Sequence, residues 1–115
     1  MVPEDHPVLP KKATTAQLQK YVQEVVKYRG FDKESVSDNF IMLCEEVGEL
    51  AKALRVYNGV KLATDSGVVN LEHEIADVFW MLACVSNQVG VDITSAVCNK
   101  EEINKRRLWV DGQGF

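Results

Sequence analysis

Two short acidic clusters lie inside apolar runs of this chain: Glu45-Glu46-Val47-Gly48-Glu49 and Glu72-His73-Glu74-Ile75-Ala76-Asp77. Each holds a pair of carboxylates three residues apart, Glu46 with Glu49 and Glu74 with Asp77. On a helix that spacing stacks the side chains on one face, a turn apart. Like charges so placed repel, and an isolated helix gains nothing from either pair. A multivalent cation seated among them removes the cost, and hard carboxylate oxygens suit Mg²⁺ best.

The surrounding apolar periodicity predicts an all-α chain of four helices. The first begins at Thr14, where Gln17 completes a capping-box pattern. It carries Leu18, Tyr21, Val22, Val25 and Val26 on one stripe and stops at Gly30. Ser35 or Ser37 can cap the second, which runs from about Asp38 to Tyr57 and ends at the turn-forming Asn58-Gly59. Its core stripe is Leu43, Val47, Leu50 and Leu54. Glu46 lies at the edge of that stripe, Glu49 further round the same flank, and Glu45 nearly opposite. A loop with Val60, Leu62, Val68 and Val69 as packing candidates leads to Asn70, a cap for the third helix, which extends to about Val89. Its stripe is Leu71, Ile75, Val78, Phe79, Leu82 and Val85, and Glu74 and Asp77 take the same-handed flank as Glu46 and Glu49. Antiparallel neighbours over one core are related by a local twofold, so flanks of the same hand turn towards each other. The four carboxylates are thereby expected to converge.

The run Phe79-Trp80-Met81-Leu82-Ala83-Cys84-Val85 covers every side of a helix and calls for burial all round. One layer of four helices does not supply that, so a homodimer or homotetramer packed on the third helix is expected. Asp92 caps the fourth helix, whose Ile93, Ala96, Val97 and Ile103 can face inward. After it comes the one dense basic segment, with Lys100, Asn104, Lys105, Arg106, Arg107 and Trp109. Residues 1–13, which hold Pro3, Pro7 and Pro10, read as a flexible arm. Residues 14–115 read as a single domain ending in a Gly-containing tail.

A length of 115 residues fits that single domain. The formal charge of −4 disfavours a nucleic-acid polymer as partner. No apolar run is long enough to span a bilayer, and the N-terminus lacks a signal-peptide core. Cys44, Cys84 and Cys98 are odd in number and widely spaced inside helical patterns, which suits buried thiols in a reducing cytoplasm better than a zinc site or disulfides.

EEVGEL followed by EHEIAD resembles the paired acidic motif of the MazG-type all-α nucleoside triphosphate pyrophosphohydrolases. One helix of that superfamily carries Glu-x-x-Glu and the next Glu-x-x-Asp, with a basic element downstream. The likeness spans roughly residues 14–109, and the paired acidic elements are its diagnostic part. By matching position it implies a four-helix, bundle-like protomer that assembles through its helices, with Glu46, Glu49, Glu74 and Asp77 holding Mg²⁺ (or Mn²⁺ in its place). KEEINKRR is similar to the family's C-terminal Lys/Asn/Arg element, which implies that Lys100, Asn104 and Arg107 hold phosphates. Some relatives stack the base on tryptophans flanking the first acidic motif; here the nearest aromatics are Phe31 and Tyr57.

The resemblance implies cleavage between the α- and β-phosphates of a (deoxy)nucleoside triphosphate, releasing a monophosphate and pyrophosphate, in nucleotide house-cleaning. Glu46 or Glu49 is the expected general base, with Glu45 pointing away. Lys100, Arg106 or Arg107 would stabilise the departing pyrophosphate. The competing readings are a solvated acidic face, a basic helix end complementing its dipole, a non-catalytic helical oligomerisation module, and phosphoribosyl-ATP hydrolysis by the same chemistry. A di-iron bundle is disfavoured, because neither His6 nor His73 has Glu three residues before it.

Overall fold

The computed structural model describes residues 1–63 and 67–110. The centre of the expected loop between the second and third helices, and the expected tail from 111 onward, lie outside the described residues. The described residues form four helices and no strand: α1 (Thr15–Tyr28), α2 (Val36–Tyr57), α3 (Leu71–Val89) and α4 (Ile93–Asn104).

Each helix starts where a side chain can satisfy its free N–H groups. Thr14 Oγ1 accepts from the Gln17 amide at 3.2 Å, and Gln17 Oε1 accepts from the Thr14 amide at 2.8 Å, the reciprocal capping box the sequence predicts. Ser35 caps α2 through the Asp38 amide, so the helix opens two residues earlier than its apolar pattern suggests. Asn70 and Asp92 cap α3 and α4 by accepting from the amides of His73 and Ser95. Gly90 ends α3 at φ 73°, a left-handed turn that costs glycine little.

α3 is the central element, with α1 and α2 both packed along it. Both run antiparallel to it. On α2, Glu46 faces Glu74 and Asp77, whereas Asn39 and Met42 share a cleft with Trp80, Met81 and Cys84 further along α3. On α1, Gln19 reaches Asn87, whereas Arg29 lies back over Trp80. The buried centre is small: Val22 of α1 meets Ala83 and Cys84 of α3, with Val26, Phe79, Trp80, Met81 and Ile93 packed around them.

A polar knot fixes the corner after α3. Gln19, 6% exposed, donates from Nε2 to Asn87 Oδ1 (3.0 Å) and to the Val91 carbonyl (2.7 Å). Its Oε1 accepts from the Ile93 amide (2.8 Å), and Asn87 Nδ2 donates back to the Gln19 carbonyl (3.1 Å). Every polar atom of the buried Gln19 amide is engaged, which offsets the cost of removing it from water. The knot holds α4 at 93° to α3, with α1 as its main neighbour.

The predicted stripes are only partly covered within one chain. Leu43 and Leu50 are half-buried, but Val47 and Leu54 are exposed. On α3, Ile75 and Leu82 are exposed while Val78, Phe79 and Val85 are half-buried. In the run from Phe79 to Val85, only Ala83 and Cys84 are fully buried. The reason is geometric: α1 and α2 each cover one side of α3, and α4, turned away, leaves the remaining side open. Val60 and Val68 of the loop are exposed too, whereas Leu62 and Val69 are half-buried. The radius of gyration is 17.7 Å, against about 13 Å for a compact chain of this length. Cys44 and Cys98, expected in the interior, are exposed; Cys84 is buried.

The N-terminal arm touches α1. Asp5 accepts a hydrogen bond from the Tyr28 hydroxyl (3.2 Å), and the His6 ring meets Tyr28 edge-on with centroids 5.0 Å apart. Among the described residues no single helix is long and apolar enough to cross a membrane.

Candidate metal centre and active site

Glu46 sits at the middle of α2, and Glu74 and Asp77 occupy the first two turns of α3. Because the helices run antiparallel, these turns are level. Glu46, Glu74 and Asp77 each bring a carboxylate oxygen within 4.8 Å of the other two. Glu46 and Glu74 are half-buried and Asp77 is exposed. Three carboxylates at this separation form an all-oxygen donor set of the kind hard divalent cations take, so the residues present fit such an ion.

The electrostatic cost of the cluster falls on Glu46. Its carboxyl is raised above the ordinary glutamate value, first by partial burial and then by Asp77, Glu74, Glu49 and Glu45 in that order. Burial disfavours the charged form and each neighbouring anion adds to that. Glu49 is exposed and stands outside the group of three, yet close enough for its charge to reach Glu46. Glu45 is exposed as its wheel position requires, and its influence on Glu46 is the weakest of the set.

The basic element lies on another part of the protomer. Lys100 and Asn104 line a shallow groove on α4 with Ala96, Val97 and Glu101. Lys105 pairs with Glu102 at 2.8 Å, and Arg106 approaches the same carboxylate at 3.7 Å. Both are exposed pairs of a kind that contributes little to stability. Lys100 and Arg107 make no ion pair among the described residues. Asn104 Oδ1 is buried without a hydrogen-bond partner in the described residues, while the Asn104 carbonyl accepts from Trp109 Nε1 (3.1 Å).

The two aromatics flanking the first acidic motif have different settings. Tyr57 is 75% exposed at the end of α2. Phe31 lines a cleft of about 280 Å³ between α1, α2 and α3, whose walls include Val26, Asn39, Met42, Trp80 and Cys84. Trp80, which reads from sequence as a packing residue, is held edge-on by Tyr21 (6.1 Å) and covered by the Arg29 guanidinium (5.5 Å). Asn39 is the wall residue that sequence reasoning passed over. Its sequence signal is modest: a lone amide in the apolar turn Asn39-Phe40-Ile41-Met42-Leu43, seven residues before Glu46 and so on its face of the helix.

A carboxylate trio shared by two antiparallel helices, with a basic element downstream in the sequence, is the arrangement the acidic motifs led one to expect. The family profile described as MazG nucleotide pyrophosphohydrolase domain matches residues 34–109. The chain belongs to that family. It is also similar to a dATP/dGTP diphosphohydrolase of Salmonella phage PMBT28, with 31% identity over 96 residues. That match covers 84% of this chain but only 28% of the phage protein, so the chain spans less than a third of that relative's length. No solved structure gives a significant match.

Proposed function

We propose that this protein hydrolyses deoxynucleoside triphosphates, dATP and dGTP among them, to the monophosphate and pyrophosphate, with Mg²⁺ as its ion and Mn²⁺ able to substitute. The observation that carries the reading is the meeting of Glu46, Glu74 and Asp77 from two helices. The name of the phage relative supports the choice of purine deoxynucleotides. Its greater length leaves this chain's own substrate range to experiment.

Glu46, Glu74 and Asp77 would hold the ion, with Glu49 beside them. When bound, Mg²⁺ neutralises phosphate oxygens and lowers the pKa of a coordinated water. Glu49, outside the trio and open to solvent, is placed to accept the proton of the attacking water; Glu46, whose carboxyl is already raised, is the other carboxylate suited to that role. The water oxygen bonds to the α-phosphorus while the bond to the bridging oxygen breaks, and pyrophosphate leaves with that electron pair. Lys100, Asn104 and Arg107 would hold the departing phosphates. Lys100 and Asn104 lie on α4 and Arg107 just beyond its end; α4 turns away from α3, so a second copy of the chain is the natural source of this element. The exposed apolar residues Val47, Leu54, Ile75 and Leu82 supply a face for such a homo-oligomer. A role in clearing unwanted deoxynucleotides fits the chemistry.

Purified protein incubated with a panel of nucleoside triphosphates and Mg²⁺ tests the reading. Pyrophosphate release without inorganic phosphate supports it, and no pyrophosphate from any nucleotide ends it.

A further inference from the structure

We propose that Gln19 is a positioning residue for the reaction: from α1 it sets the angle of α4, and so the place of Lys100, Asn104 and Arg107. The inference rests on the nucleotide reading above and names a residue to which that reading gives no role. α4 is held mainly at its first turn. None of its twelve residues is fully buried, and Ile93 and Asn104 alone are half-buried. Apolar packing therefore does little to fix its direction. Ile93, at the head of the helix, packs against the small core, whereas Val97 and Ile103 are exposed. Lys100 and Asn104 follow Ile93 by seven and eleven residues and share its face of the helix. By the helical rise, Asn104 stands about 16 Å from Ile93. A tilt of about 10° at the first turn carries it through about 3 Å, more than a hydrogen bond tolerates.

The restraint on that first turn comes from Gln19. Its carboxamide grips the chain on both sides of Asp92, the α4 cap. Nε2 donates to the Val91 carbonyl before the cap, and Oε1 accepts from the Ile93 amide after it. Two bonds from one planar group fix the direction in which the chain enters the helix. The local bonds do not reach so far. Gly90 turns the chain out of α3 and the Val91 amide bonds the Ser86 carbonyl, a motif that ends at Val91. Asp92 accepts from the Ser95 amide, which lies within α4 itself. Gln19 is in turn tied to α3, where Asn87 Oδ1 accepts from its Nε2 and Asn87 Nδ2 donates to its carbonyl. One buried amide thus joins α1, the end of α3 and the head of α4. Because α3 also carries Glu74 and Asp77, the knot fixes the basic element of each copy in the frame of that copy's acids. A fixed angle in every copy is what lets the basic element of one meet the acids of another.

The test reads phosphate affinity apart from turnover, with magnesium pyrophosphate as the probe. Gln19→Met keeps most of the side-chain volume and removes its hydrogen bonds. A smaller residue would admit water from the adjoining hollow of about 280 Å³, which Gln19, Lys20, Gln23, Asn87 and Asp92 help to line. Asn87→Ala loosens the same knot from α3. Val25→Ala, at a fully buried α1 position outside the knot, is the control for lost stability alone. All are measured at a temperature where they are folded. Calorimetry should show pyrophosphate binding weakened about 10-fold in Gln19→Met, with KM for the preferred nucleotide raised in parallel and kcat lowered less. Asn87→Ala should show a smaller fall of the same kind, and it carries the test by itself if Gln19→Met does not fold. The double variant should lose less than the product of the two single losses, because both act on one knot. Mg²⁺ without nucleotide should raise the melting temperature of Gln19→Met as much as that of the unaltered protein, since the acids are untouched. Pyrophosphate affinity and KM that stay put overturn the inference, as does an equal fall in Val25→Ala. So does a double variant whose losses simply multiply. Failure of the parent reading looks different: the unaltered protein then releases no pyrophosphate from any nucleotide.

Discussion

Glu46 of α2 and Asp77 of α3 hold carboxylate oxygens within 4.8 Å of each other across an antiparallel pair, with Glu74 completing the group. Asp77 is the foremost charge raising the Glu46 carboxyl, second only to its partial burial. Two anions pressed together in the metal-free protein are a cost to the fold, and the same pair is the asset of a cation site.

Removing either partner should therefore separate activity from stability. Glu46→Gln and Asp77→Asn should each lower pyrophosphate release by roughly 100-fold or more, while the metal-free variants melt no lower than the unaltered protein. Parallel activity assays and thermal melts check this. A loss of activity matched by a collapse of the melt would show that the carboxylates serve the fold rather than the chemistry.

The pH dependence follows from the same repulsion. Glu46 is raised in the folded protein, so the folded state holds that proton to higher pH than the unfolded chain does. Its contribution to stability is full below the unfolded glutamate value, about 4.3, and is lost as pH rises through the elevated folded value. Melts of the metal-free protein, taken upward from about pH 4, should decline more steeply than those of Glu46→Gln. Protons and Mg²⁺ compete for this carboxylate, so stabilisation by added Mg²⁺ should grow over the same rise in pH.

Gln19 predicts an effect on stability without a contact at the acids. Gln19→Leu would strand the Ile93 amide, the Val91 carbonyl and Asn87 Oδ1, while the Asn87 Nδ2 bond to the backbone carbonyl of residue 19 remains. A loss of about 2–3 kcal/mol is expected from buried polar groups left unpaired. Urea denaturation measures it. An unchanged midpoint would mean that water replaces the lost bonds.

Assembly should depend on the uncovered apolar faces. The protein is expected to sediment as a dimer or tetramer, and Leu54→Lys with Leu82→Lys should shift it to the single chain and reduce activity along with it. Analytical ultracentrifugation reads the first effect. A monomer that turns over at the full rate would refute the idea that a second copy supplies part of the site.

The sequence alone determined the helices and the carboxylates they carry. Caps at Thr14, Ser35, Asn70 and Asp92 and stops at Gly30 and Gly90 are local decisions, made by side chains a few residues from the groups they satisfy, so they are legible without a fold. The convergence of Glu46 with Glu74 and Asp77 was legible too, because helical spacing and an antiparallel neighbour leave little freedom in where those flanks point. Only the tertiary structure decided that Glu49 stands apart from the trio, that α4 leaves α3 at 93°, and that Asn39 is buried between clefts while Val47 and Leu82 are open. Each of those depends on contacts between residues far apart in the chain, such as Gln19 with Asn87 and Ile93. Periodicity tells which way a side chain leaves its own helix, but not which element, if any, is there to meet it.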